Sequence, residues 1–188
     1  NLKVLKESSE NKANDLTKDL QLYTPGREEI SPIRFNPLRI PKGVSKDSHI
    51  AKLSSLLQSA ISMSGPMPAL ITESLERVYE KYPDNRYPPI LKDLLNTVRE
   101  VLNEKSYSAE IQQNILTAIE VRLSPLVSGS IGKVFQCRQN IPEIDELTKF
   151  PTILELEGLS NEQQCFLTLI ILTRITEHFK ILPRSDNK

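Results

Sequence analysis

Apolar positions recur with a helical period through the middle of the chain. After Asp47 or Ser48, either of which can cap a helix, Ile50, Leu53, Leu56, Leu57, Ala60 and Ile61 fall on one face. Ser64-Gly65-Pro66 stops this segment, and Pro68 suits the first turn of the next. That helix carries Leu70, Ile71, Leu75, Val78, Tyr79 and Tyr82. Pro88-Pro89 opens a third, with Ile90, Leu91, Leu94, Leu95, Val98 and Leu102. Ser108 caps a fourth, with Ile111, Ile115, Ile119 and Leu123, which Pro125 kinks or ends. Four amphipathic helices with short connections make a helical subdomain whose faces bury one another.

The flanks have a different texture. Leu20–Thr24 alternates apolar and polar residues as a strand does, and Pro25-Gly26 closes it with a turn. Residues 25–46 read as a long ordered loop or bent strand, with Ile33 and Phe35 marking an extended piece. After the helices, Val127–Phe135 reads as a small-residue loop entering an extended segment, and Glu143–Leu147 as a short helix. Thr152–Leu156 is β-branched and apolar enough for a buried strand. Gly158 then turns the chain into a long helix, with Ser160 and Gln163 in capping-box spacing. That helix, through Phe166, Leu167, Leu169, Ile170, Ile171, Leu172 and Ile175, is apolar nearly all round, so packing on more than one side is expected. The order strand, helical block, strand, helix suits an α/β fold with predominant helix, its short strands near 20–24 and 152–156. Three parts follow: 1–46, 47–126 and 127–188.

Composition changes this picture little. Lys plus Arg and Asp plus Glu both number 24, so no global charge draws the chain to nucleic acid or anionic membrane. Aromatics are 5% and Trp is absent, so base-stacking platforms are scarce. Cys137 and Cys165 have neither metal-knuckle nor redox spacing, and Cys165, on the apolar helix, reads as a reduced packing residue suited to the cytoplasm. Asn1–Leu20 is polar and charged, unlike a signal peptide, and a surface helix or mobile connection is expected over residues 1–19. The longest apolar run, around Cys165–Leu172, is too short to span a bilayer.

Candidate chemistry is sparse. His49 lies in a first helical turn and His178 near a helix C-terminus; solvated or locally bonded imidazoles are expected at both. Gly129-Ser130-Ile131-Gly132-Lys133 looks like a phosphate loop but is too short for a Walker A motif, and Val134 stands where a Mg²⁺-binding hydroxyl is required. Glu155 and Glu157 share a strand face, fitting either an exposed strand end or the rim of a site at the carboxyl end of a parallel sheet. Arg122, at the end of the fourth helix, reads either as a surface cation near a helix C-terminus or as an arginine finger reaching a phosphate across a subunit interface.

Several segments taken together resemble the HerA–FtsK superfamily of P-loop ATPases, in particular its HerA-like and conjugation-ATPase branches. They are Leu22-Tyr23-Thr24-Pro25-Gly26, Phe35-Asn36-Pro37-Leu38, His49-Ile50, Ser64-Gly65-Pro66-Met67-Pro68, Arg122-Leu123 with Gly129 and Gly132, and Thr152–Leu159 with its following helix. The resemblance covers about Leu20 to Leu182. It implies a RecA-like core carrying the helical insertion, ATP and Mg²⁺ as cofactors of the parent protein, a homo-oligomeric ring and movement of DNA. Arg122 matches an arginine typical of that region. The family's Walker A loop belongs before Thr24 and its Walker B acids after Leu182. The expectation is therefore an internal piece of such a motor, inactive alone and binding no cofactor itself. The alternative is a helical protein-interaction module without catalytic activity, binding a protein partner through the helical block.

Overall fold

A computed structural model of the chain describes residues 19–181. The expectation for residues 1–19 falls almost wholly outside them. Among the described residues are two short strands and seven helices. They are β1 (Gln21–Tyr23), α1 (Lys46–Ala60), α2 (Met67–Lys81), α3 (Leu91–Asn103), α4 (Ala109–Val127), α5 (Gly129–Phe135), α6 (Ile144–Lys149), β2 (Thr152–Leu154) and α7 (Asn161–Ile181). The predominance of helix and the four-helix block match the apolar periodicity. β1 and β2 pair in parallel, with Gln21 opposite Thr152 and Tyr23 opposite Leu154. Both strands are half-buried, whereas the sequence pointed to a buried strand at 152–156. The reason is that, among the described residues, each strand has a neighbour on one edge only.

The helix boundaries follow local chemistry. Ser45, rather than Asp47 or Ser48, caps α1: its hydroxyl accepts from the Ser48 amide. Ser108 caps α4 in the same way through Ile111. Ser160 and Gln163 form the expected reciprocal capping box, with Gln163 Oε1 accepting from the Ser160 amide at 3.0 Å. α4 runs through Pro125 to Val127, because a proline in the last turn forfeits only the bond to the Val121 carbonyl.

Residues 129–135 form helix α5, not a loop and extended segment. Gly129 takes a positive φ of 64°, and α5 leaves α4 at 80°. A Cβ on Gly132 would lie 2.7 Å from the Val127 carbonyl oxygen, so this corner needs a residue without a side chain. Ile131, Val134 and Phe135 are buried, which is what holds so short a helix. The Phe135 ring packs edge-on against Phe166 of α7 at 5.2 Å.

α7 is not packed all round. Phe166, Leu167, Ile170 and Ile171 are buried, while Cys165, Leu172 and Phe179 are exposed. Helices α1 and α6 cover one side of it. Cys165 is thus a surface thiol, contrary to the packing role expected of it. Residues 25–45 are an ordered loop, with Ile33, Phe35 and Leu38 fully buried and Arg34 bridging Ile141 in antiparallel fashion.

Candidate functional site

The buried Phe35–Arg39 segment cannot complete its hydrogen bonds through secondary structure, so side chains do it. The Asn36 amide accepts from the Leu38 N–H at 2.9 Å and donates to the Pro89 carbonyl at 3.0 Å. Asn140 Oδ1 accepts from the Asn36 N–H at 2.8 Å. The Tyr79 hydroxyl of α2 donates to the Leu38 carbonyl at 2.6 Å. Arg174 of α7 donates through one terminal nitrogen to the carbonyls of Pro37 and Arg39, at 2.7 and 2.9 Å. Three successive carbonyls are therefore held by two side chains from two helices.

Arg174 is 5% exposed and Glu177 3%. Their charges meet at 3.1 Å, one helical turn apart on α7. The other oxygen of Glu177 accepts from Lys52 Nζ of α1 at 2.7 Å. The remaining terminal nitrogen of Arg174 lies 3.3 Å from His49 Nδ1. A guanidinium has only donors, so Nδ1 accepts and the ring proton sits on Nε2, which is buried without a partner. Burial, then the nearby Arg174 charge, push the His49 imidazole down to about 3, against a weaker opposing pull from the Leu38 carbonyl. Burial likewise raises Tyr79, which stays a neutral phenol, and lowers Arg174, an effect that Glu177 opposes. The cluster therefore holds a charged arginine and a neutral histidine, with one carboxylate serving two cations.

A cavity of about 550 Å³ adjoins this cluster, lined among others by Arg39, Lys42, Asn140, Asp145, Arg174 and His178. Its charged groups are largely matched inside the chain. Arg39 pairs with Glu143, and His178 Nδ1 lies 3.2 Å from Asp145.

The sequence candidates are scattered. Arg122 Nε donates to the Ser62 carbonyl at 2.6 Å and its Nη1 to the Ala118 carbonyl at 2.8 Å, tying α4 to the end of α1. Gly129–Lys133 lies at the α4–α5 corner, with Lys133 exposed. Glu155 and Glu157 are exposed, and Glu157 faces Arg27 at 3.9 Å. His49 is buried rather than solvated, its ring edge-on to Tyr79 at 5.6 Å and its Nδ1 facing Arg174. His178 does lie at the end of α7, as expected. Among the described residues no group of His, Cys, Asp and Glu is arranged to hold a metal ion. Burial pushes the Cys137 thiol up to about 11, away from nucleophilic use.

Sequence reasoning passed over Arg174, Glu177 and Lys52, and gave Asn36 no role of its own within the Phe35–Leu38 segment. A usable signal was present: residues 166, 170, 174 and 177 share one helix face, so a face that starts with Phe166 and Ile170 ends in two opposite charges. No protein-family model, curated protein or solved structure matches the chain.

Proposed function

We propose that this chain is the helical insertion and part of the parallel sheet of a HerA–FtsK-like ATPase, whose parent couples ATP hydrolysis to movement or processing of DNA as a ring. The observation that carries this reading is the parallel pairing of β1 with β2 across a connection that contains α1–α6. Parallel neighbours require such a crossover, and parallel strands belong to sheets with further strands and covering layers. Two three-residue strands are too little to stand as a sheet alone.

The open edges agree with a larger sheet. In this register Gln21 and Tyr23 bond inward, so the backbone groups of Leu22 point away from β2, and those of Thr152 and Leu154 away from β1. None of these outward groups has a hydrogen-bond partner among the described residues. Further parallel strands would satisfy them and bring in the Walker A loop and Walker B acids. ATP and Mg²⁺ would bind there and not to the residues described here. A finger role for Arg122 requires its guanidinium to leave the Ser62 and Ala118 carbonyls. The test is steady-state ATP hydrolysis by the full natural polypeptide. Mg²⁺-dependent turnover stimulated by double-stranded DNA is expected, and absence of turnover with or without DNA would remove the proposal.

A further inference from the structure

A groove of about 560 Å³ runs between α1 and α7, separate from the His49–Arg174 cluster's cavity. Leu56, Leu169 and Leu172 form its apolar wall, and Leu172 is 55% exposed. On the α1 side the hydroxyls of Ser55 and Ser59 turn back onto the carbonyls of Ala51 and Ser55, at 2.9 and 2.8 Å. On the α7 side Thr176 does the same onto the Leu172 carbonyl at 2.8 Å, so most of the hydroxyls that line the groove are already bonded within their own helices.

Its charge is concentrated at one end. Lys52 and Lys180 line that end, with Glu177 as the one carboxylate in the lining. Glu177 is already shared between Lys52 and the buried Arg174. Among the described residues that line this end, two ammonium groups face one carboxylate, which leaves a net positive end beside an apolar trough.

We propose that this groove docks an amphipathic helix of a partner protein, with leucine-like side chains in the trough and a carboxylate at the Lys52–Lys180 end. Helix-in-groove recognition uses anchors spaced along one helix face, with charges at the rim that fix direction and partner choice. The proposal is independent of the ATPase reading, because it uses only α1, α7 and their side chains.

The probe is a labelled alanine-rich helical peptide with leucines at i, i+4 and i+7 and two glutamates at one end, compared with versions carrying glutamine or lysine there. Fluorescence anisotropy should rank the glutamate peptide tightest and the lysine peptide weakest, with the difference shrinking as salt rises. Leu172→Glu, at an exposed position, should weaken binding about tenfold or more. Lys180→Glu should reverse the order of the glutamate and lysine peptides. Unchanged circular dichroism in both variants separates these effects from misfolding. No binding of any peptide, equal binding of all three, or an unaffected Leu172→Glu variant would overturn the proposal. Concentration-dependent self-association abolished by Leu172→Glu would also overturn it, by assigning the groove to a second copy of this chain.

Discussion

Arg174 donates to the carbonyl of Pro37 at 2.7 Å across 137 residues of sequence, and so fastens the buried loop before α1 to the last long helix. The same guanidinium holds Arg39 and Glu177 and reaches His49. It is the hub where the loop, α1 and α7 meet.

Arg174→Ala should therefore destabilise the chain by about 3–5 kcal/mol, because it removes one of the two cations that hold the buried Glu177 and the shared donor of the Pro37 and Arg39 carbonyls. Arg174→Lys should recover only part of this, since one ammonium cannot reproduce the planar fork. Urea unfolding of the variants, compared at equal m-value, measures both.

Stability should fall as pH drops from about 6.5 towards about 3, the ordinary and the native value for His49. The folded state keeps the imidazole neutral while the unfolded chain takes up a proton. This contribution is thus complete above the unfolded value and is lost on the acid side. The slope should approach ~1.4 kcal/mol per pH unit below about pH 6. Between pH 6.5 and about pH 5 it stands clear of carboxylate titration. His49→Gln should flatten the profile there, and an unchanged profile would show that another group is responsible.

Gly132→Ala should cost about 1–3 kcal/mol, because the new methyl meets a backbone oxygen that cannot turn aside. Ser130→Ala on the same short helix, at an exposed position, should be nearly neutral. Thermal melts of the two variants make the comparison.

Ile170, 1% exposed, should lose ~2–5 kcal/mol on truncation to Ala. Leu154 and Leu169, only partly buried against the core, should lose less than about 2 kcal/mol. Equal losses at all three would mean that the strand and the outer side of α7 are better covered than the structure shows.

The sequence was a good guide where a single periodicity governs. The α1–α3 faces, the Ser108 cap and the Ser160–Gln163 box depend on neighbours a few residues away and formed largely as read, whereas on α4 only Ile119 and Leu123 of the expected face are buried and Ile111 is exposed. It failed where distant packing decides. Residues 129–135 have glycines suited to a loop, yet Ile131, Val134 and Phe135 bury enough surface to make a helix. Cys165 sits in an apolar run but points away from α1 and α6. The His49–Arg174–Glu177 cluster brings together His49 and Arg174, 125 positions apart, with no local motif to announce it. Only the mismatch of two charges on the Phe166–Ile170 face hinted at it.

The most direct test of the central proposal is calorimetric titration of ATP and Mg²⁺ into two samples, this 188-residue chain and the full natural polypeptide. The account predicts no heat of binding from the chain and saturable binding by the full polypeptide, because the proposal puts the phosphate cradle on strands adjoining those described. Binding by the chain alone, or none by the full polypeptide, would contradict it.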